Sequence, residues 1–419
     1  MFNVAVACLV LTALLAYVNK RFIGLPTTIG VMAIALLLSV ALLGLDAAGF
    51  TGLHEAEAAL LAQIDFSGVL MQGMLSILLF AGALHIDLHE LRRFRWQIGV
   101  LALGGTALST VIIGWTLFQV APWVGIALPL SYCLVFGALI SPTDPIAVIS
   151  IVKSAGAPKS LEVVIAGESL FNDGVGVVLF TLLFGTLAFQ EQPTWSHAAV
   201  LLAREAGGGI AFGLLLGYVA YLLLKSIDSY QEEVLITLAA VLGGYWLAAW
   251  LHVSGPLAMV AAGLVVGGRG RAVAMSDTTR EHVDMFWDLL DAILNAVLFV
   301  LLGLEATLMT HLPHYAAGAV AAILITLCAR LISVALPAVA FRRSFALPRG
   351  ALQILTWGGL RGGISVALVL SLPALPERNI LLALTYAVVV FSILVQGMSI
   401  GAVTRRATRD RTGTDPKSG

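Results

Sequence analysis

Apolar runs of roughly 20 residues, separated by short polar connections, follow one another along almost the whole chain. This is the length that an α-helix needs to cross a bilayer, and it differs from the ten-residue alternating segments typical of outer-membrane barrels. We therefore predict an all-α polytopic membrane protein with about thirteen transmembrane helices. The predicted spans are 2–18, 25–45, 66–86, 97–119, 123–151, 162–187, 200–224, 232–251, 255–268, 286–304, 316–340, 349–372 and 379–403.

Two of these segments are interrupted by residues that break helices. The fifth contains Ser-Pro-Thr-Asp-Pro at 141–145, and the twelfth contains four glycines around one arginine at 358–363. Each proline removes a backbone donor and clashes with the preceding turn, while glycine lets other groups approach closely. Two ordinary kinked helices would also produce this pattern, but the positions of the interruptions favour a transporter.

The positions suggest two inverted six-helix repeats with broken helices 5 and 12. The division would be 1–189 for helices 1–6, 190–230 for the connector helix 7, 231–404 for helices 8–13, and 405–419 for a disordered cytoplasmic tail. Each interruption then falls in the fifth span of its half, and the halves have opposite orientations. Broken helices at matching positions of inverted repeats are typical of transporters that bind substrate near the membrane midplane.

Composition and charge narrow the class further. The chain is 59% hydrophobic and 11% charged, and its net charge of −1 gives no indication of a nucleic-acid partner. The spacing of the three cysteines suggests neither a disulfide framework nor a zinc site, and no cofactor is predicted. Basic residues are concentrated in alternate connections and in the tail, so we expect a multi-pass cell-membrane protein in contact with lipid, its N-terminus outside and its C-terminus cytoplasmic.

Very few ionisable residues lie deep in the predicted spans. They are Asp144, Glu168, Asp173, Arg330 and Arg361. Charge is costly in hydrocarbon, so each is a functional hypothesis by default. Pairing each of the two bases with an acid would leave one carboxylate free to titrate, while a buried ion pair would stay charged and hold helices in register.

We assign the free carboxylate to Asp173. Helical spacing puts Ser169 one turn below it, and Glu168 and Asn172 form the neighbouring stripe. A hydroxyl at Ser169 and an unwound backbone at Thr143 would add oxygen ligands for a monovalent cation. A purely structural role for Asp173 as a hydrogen-bond partner is the competing interpretation.

The two interruptions also predict a role for charges that need not touch the ion. Broken helices leave partially positive N-terminal ends and partially negative C-terminal ends inside the membrane. Asp144 could neutralise the N-terminal ends, and Arg361 could neutralise the C-terminal ends.

Several short motifs together resemble the monovalent cation:proton antiporter family of bacterial NhaP and animal NHE exchangers. They are Gly-Glu-Ser-Leu-Phe-Asn-Asp at 167–173, Thr-Asp-Pro at 143–145, Gly-Gly-Leu-Arg-Gly at 358–362, and the segment that begins at Phe286. The resemblance covers essentially the whole chain. It implies a thirteen-helix homodimer that exchanges one Na+, Li+ or K+ for one H+ by an elevator-like movement, and the Asn-Asp pair implies electroneutral exchange.

The resemblance also implies roles for individual residues. Asp173 would bind the cation and exchange the proton, with Ser169 and Thr143 as ligands, and Asn172 would support the broken helix. Glu168 would pair with an arginine; by analogy we favour Arg330, with Arg361 serving the helix dipoles, although the reverse assignment remains open. One departure is Phe80-Ala81-Gly82, where close relatives of NhaP usually carry Phe-Glu-Gly.

Other classes are consistent with parts of the pattern. An intramembrane protease would need a His-Glu-x-x-His motif, which is absent, or a base near Ser254, which is not evident. A cation channel could use the same polar residues, and an organic-anion carrier could share the broken helices. A K+/H+ antiporter also remains open, because no motif fixes the ligand number that separates Na+ from K+.

Overall fold

A computed structural model describes residues 2–47, 68, 73–189, 200–304, 315–341, 345, 347–348, 350–373 and 375–409. Within these ranges the regular structure is entirely helical, so the predicted all-α fold is confirmed. Three predicted segments lie wholly or largely outside the described residues: the start of the third span, the first part of the connector, and the tail from 410 onward.

The first part of the chain contains nine helices within the described ranges. They are α1 Phe2–Val18, α2 Thr27–Ala47, α3 Leu75–Leu84, α4 Leu88–Arg93, α5 Arg95–Gly99, α6 Thr106–Val120, α7 Leu130–Ile140, α8 Ile146–Ser154 and α9 Lys159–Phe189. The helix α5 continues into α6 through a wide π-helical segment at Val100–Gly105. The predicted fifth span is thus split into α7 and α8.

The later helices follow the same order as the predicted spans. They are α10 Gly208–Lys225, α11 Tyr230–Trp250, α12 Gly255–Val265, α13 Asp277–Leu304, α14 Ala316–Ala340, α15 Ala351–Trp357, α16 Gly363–Leu370, α17 Pro376–Phe391 and α18 Gly397–Arg409. In the described part of the chain, eight helical segments are long and apolar enough to cross a membrane, alongside shorter apolar helices. The chain is therefore a multi-pass membrane protein, and the exact count of thirteen crossings stays a prediction.

Two of the boundaries that differ from the prediction have a local physical explanation. The helix α13 begins at Asp277 rather than at 286, because the Ser276 hydroxyl accepts a hydrogen bond from the Thr279 N–H and caps the helix. The helix α18 ends at Arg409, so the first residues of the predicted disordered tail are helical. Arginines at 405 and 406 in its last turns interact favourably with the helix dipole.

The helices group into two compact units. The first unit comprises Met1–Ile86, Glu191–Ala316 and Gly363–Tyr386, and the second comprises Asp87–Gln190, Ala317–Gly362 and Ala387–Gly419. Each unit draws segments from both predicted repeats. Inverted repeats are defined by symmetry, whereas the two units are defined by compactness. The units therefore do not bear on the predicted division at 189 and 231, which stays a prediction.

The first unit is packed largely through small residues. A side chain at Gly213 on α10 would collide with the backbone of Ala258 on α12, and Gly303 on α13 has the same relation to Met32 on α2. Such close helix contacts are typical of membrane proteins, where van der Waals packing replaces the hydrophobic effect between helices. The buried Trp287 packs against Phe80 with the two rings tilted by 51° and their centroids 4.8 Å apart.

The second unit contains the break between α7 and α8, the long helix α9, and the chain up to the second interruption. Small residues also bring α6 and α7 together, since Gly137 lies against the backbone of Thr110. The interruption at 358–362 separates α15 in this unit from α16 in the first unit.

Candidate functional site

The break in the fifth span is stabilised by a guanidinium group. The helix α7 ends at Ile140, and the carbonyl oxygens beyond it have no helical partners because Pro142 and Pro145 prevent the helix from continuing. Arg361 Nη1 donates hydrogen bonds to the carbonyl oxygens of Ser141 and of Pro142, the latter at 2.8 Å. A full positive charge therefore lies at the negative end of the α7 dipole.

Asp144 occupies the opposite end of the same break. Its Oδ1 accepts a hydrogen bond of 2.9 Å from the N–H of Ile146, the first residue of α8. Its own N–H donates to the carbonyl oxygen of Leu360 at 2.8 Å, so the two interruptions are joined directly. Gly362 lies against the Asp144 carboxylate at a separation that leaves no room for a Cβ atom.

Glu168 on α9 and Arg330 on α14 form a buried bidentate ion pair. Arg330 Nη1 donates to Glu168 Oε1, and Nη2 donates to Oε2 at 3.0 Å. The remaining Nε donates to the Leu355 carbonyl oxygen at 3.1 Å. Both side chains are buried, and Gly359 is close enough to the guanidinium to exclude any side chain of its own.

Thr143, at the centre of the break, is held by side chains of α9. Its Oγ1 is 3.0 Å from the Ser169 hydroxyl and accepts a hydrogen bond of 2.8 Å from Asn172 Nδ2. Its backbone N–H donates to Asn172 Oδ1 at 3.3 Å. One amide group thus binds both the backbone and the side chain of Thr143, and all three residues are buried.

Asp173 lies on the same helix face as Ser169, one turn farther along α9. The residue is buried, with 7% of its surface exposed. Within the part of the chain that the structure describes, its carboxylate has no hydrogen bond or ion pair, and the Asp144 carboxylate repels it electrostatically. Of the five deep charges found in the sequence, the other four have partners.

All eight candidate residues belong to the second unit, and the structure brings them together around the break. Ala81, the position of the departure from the family pattern, is instead in α3 of the first unit. Its carbonyl oxygen lies 2.9 Å from Nδ1 of His85, and its side chain is buried.

Two further residues support this arrangement and were not found from the sequence. Ser392 accepts a hydrogen bond of 2.8 Å from the N–H of Arg361, and Gly176 lets the Pro142 ring pack against α9. A single serine in an apolar run carries no signal of such a contact. The glycine could have been noticed, since glycine inside a helix often marks a close approach.

Comparisons with known proteins agree with the resemblance drawn from the motifs. The family model described as "Sodium/hydrogen exchanger, transmembrane" matches residues 10–406. The chain is 52% identical to the Na(+)/H(+) antiporter NhaP of Pseudomonas aeruginosa over 411 residues, which cover 97% of each chain. It is 35% identical to the Na(+)/H(+) antiporter NhaH of Halobacillus dabanensis, over 91% of this chain and 96% of the other.

A solved structure shares the fold. The sodium proton antiporter MjNhaP1 from Methanocaldococcus jannaschii at pH 8 superimposes with a TM-score of 0.76, covering 96% of this chain and 97% of the other at 19% sequence identity. At that identity the likeness bears on the fold alone. The family model and the close relatives carry the conclusion: this chain belongs to the sodium/hydrogen exchanger family of transmembrane proteins.

Proposed function

We propose that this protein exchanges one monovalent cation, Na+ in the first instance, for one H+ at Asp173. One observation carries the proposal. Asp173 is a buried carboxylate without a partner in the described residues, on a helix where the other acid, Glu168, is already paired. A carboxylate in this state gains stability from either a proton or a cation, and the two exclude each other.

The neighbouring hydroxyl groups support binding of a cation rather than of a proton alone. Each hydroxyl offers one donor and two lone pairs. Thr143 Oγ1 accepts one hydrogen bond from Asn172 Nδ2 and lies within hydrogen-bonding distance of the Ser169 hydroxyl. When Thr143 donates to Ser169, one lone pair on each oxygen remains for an ion; when Ser169 donates, both of its own lone pairs remain. Carboxylate and hydroxyl oxygens are suitable ligands for hard cations.

The charge balance supports electroneutral exchange. Glu168 is neutralised by Arg330, the Arg361 charge lies against carbonyl oxygens, and Asn172 is neutral. Only one carboxylate then changes occupancy, so one cation replaces one proton. An empty, charged site is held back by the desolvation cost, which couples the two fluxes.

We also propose elevator-type alternating access. All eight candidate residues lie in one compact unit, which supports movement of the site as one body. The family resemblance supports a homodimer, and the distribution of basic residues supports a cell-membrane location with the N-terminus outside and the C-terminus cytoplasmic.

The experiment uses purified protein in liposomes with an internal pH dye. Na+, Li+ and K+ are titrated separately at several pH values. We expect cation-dependent proton flux whose apparent KM rises as pH falls, because protons compete for Asp173, and whose rate is unchanged by an imposed membrane potential. A KM independent of pH would contradict competition at one site, and a rate that follows the potential would contradict electroneutrality. Currents far above exchanger turnover would indicate a channel.

A further inference from the structure

An open groove lies on the second unit, and none of its lining residues belongs to the polar break. It is lined chiefly by Arg95, Trp96, Gly99, Leu103, Gly104 and Phe341, and its volume is about 790 Å³. The first five residues recur at close to every fourth position, so they share one face of the α5–α6 segment. The sixth follows the end of α14.

The groove is deep because two of its lining residues are glycines, which have no side chain. At both Gly99 and Gly104, an added Cβ atom would have no heavy atom within 4 Å. Leu103 and Trp96, 60% and 68% exposed, form apolar walls beside these glycines. The segment Arg95–Val124 is apolar enough to cross a membrane, so a groove of this kind faces lipid acyl chains rather than water.

One end of the groove is strongly basic. Arg95 lies in its wall, and Arg92 and Arg93 precede it by three and two residues, at the end of α4. All three are exposed, and none has a carboxylate partner among the described residues. Unpaired guanidinium groups at the membrane surface bind phosphate strongly and attract anionic lipid.

We infer that this groove is a binding site for an anionic phospholipid. The headgroup phosphate binds the guanidinium groups of Arg95 and its neighbours, and one acyl chain lies over Gly99 and Gly104. Trp96 is placed where the ring of an interfacial tryptophan packs beside a headgroup. The site is separate from the residues of the proposed exchange mechanism, so it can be tested without assuming that mechanism.

The test measures lipid retained by the purified full-length protein. Delipidated protein in detergent is given phosphatidylglycerol, phosphatidylcholine or inorganic phosphate, and bound lipid is counted by native mass spectrometry alongside the thermal unfolding midpoint. We expect preferential retention of phosphatidylglycerol and a higher midpoint with it. Equal retention of both lipids would overturn the anionic preference, and equal stabilisation by inorganic phosphate would overturn the role of the acyl groove.

Two variants examine the two ends of the site. Arg95→Gln should lower phosphatidylglycerol retention about fivefold, because one basic residue near the surface contributes about that factor. Phosphatidylcholine retention should fall less, because its choline cation offsets the charge of the phosphate. Gly104→Leu should lower retention of both lipids, since the leucine fills the groove without a clash. Arg406→Gln and Gly243→Leu, an exposed arginine and an open helical glycine elsewhere, are the matched controls. Retention unchanged in both groove variants, or lowered equally in the controls, would overturn the proposal.

Discussion

Helices pack closely in both compact units, but the groups that meet at the close contacts differ. The first unit brings helices together through glycine and alanine, as at Gly213 against Ala258. The second unit also uses glycines, but several of them make room for charged groups: Gly359 lies against Arg330, and Gly362 lies against Asp144. Its described interior contains a buried ion pair and a guanidinium group bound to helix-terminal carbonyls.

This difference separates residues that stabilise the helix packing from residues that also position the charged groups of the candidate site. A glycine contact can be disturbed at a cost in stability alone, whereas the second unit couples its packing to the positions of its charges. Breaking a helix leaves carbonyl and N–H groups that need partners, and Arg361 and Asp144 supply them. The unpartnered Asp173 then stands out because the other four deep charges have partners among the described residues.

The largest expected effect comes from removing the charge of Asp173. Asp173→Asn keeps the size of the side chain but cannot exchange a proton for a cation, so cation-dependent proton flux should fall to that of empty liposomes. Folding should be retained, because the carboxylate has no described partner to lose. Proton flux in proteoliposomes and the thermal midpoint in detergent measure the two effects.

The control for this variant is Asp87→Asn. Asp87 is an acid of the same unit that caps α4 through the N–H of His89, outside the broken helices. It should retain flux close to that of the unmodified protein. Robust flux from Asp173→Asn, with Na+, Li+ and K+ each tried, would refute the assignment of the exchange site.

The next largest effect is on the free energy of unfolding, and it compares a buried ion pair with one at the surface. Glu168→Ala leaves the Arg330 charge buried without its partner, which should lower the free energy of unfolding by about 3–5 kcal/mol. Asp277→Ala breaks the pair of the exposed Asp277 with the half-buried Arg280 in the first unit and should cost less than about 1 kcal/mol. Thermal and denaturant unfolding in detergent compare the two variants.

A double variant tests the physical reason. Glu168→Gln combined with Arg330→Met removes both charges together and should recover most of the stability lost in Glu168→Ala. If the double variant is as unstable as the single one, the stranded charge is not the cause. An unchanged midpoint in Glu168→Ala would argue against the pair itself.

A smaller effect on stability is expected when a closely packed glycine of either unit is replaced by alanine. Gly213→Ala and Gly176→Ala each add a methyl group where there is no room, and each should cost about 1–3 kcal/mol through overpacking. Only Gly176→Ala should also raise the apparent KM for the cation, because it displaces Pro142 beside Thr143. Gly243→Ala, where an added Cβ meets open space inside a helix, is the control: it should leave the KM unchanged and should not lower the stability.

The sequence was sufficient to predict the all-α class, several helix boundaries and the residues of the charge inventory. Apolar runs gave α1 and α14 their observed bounds, since a span of lipid-facing residues needs few other signals. Prolines and an acid at 141–145 predicted the break between α7 and α8 for a local reason, the loss of backbone donors. Counting deep acids and bases identified the residues that meet around this break.

Sequence patterns could not identify hydrogen-bond and ion-pair partners that depend on three-dimensional packing. Charge counting left two arginines available to Glu168. The structure pairs Glu168 with Arg330, which belongs to the same unit, while Arg361 lies against the end of α7. The contact of Ser392 with the Arg361 backbone has no periodic signal. The extension of α13 to Asp277 depended on a cap at Ser276 that a hydrophobicity pattern does not record.

The smallest predicted effect concerns the oxygen ligands. Ser169→Ala removes one hydroxyl from the cluster with Thr143 and leaves Asp173 and the Asn172 contacts in place. The loss of one such polar interaction, about 0.5–1.5 kcal/mol, corresponds to a rise of about two- to tenfold in the apparent KM for the cation. The maximal rate should be preserved, because the exchanging carboxylate is unchanged. Ser154→Ala, an exposed serine of the same unit whose hydroxyl bonds its own helix, should leave the KM unchanged. A lower maximal rate with an unaltered KM in Ser169→Ala would mean that this hydroxyl positions the broken helix instead of binding the ion.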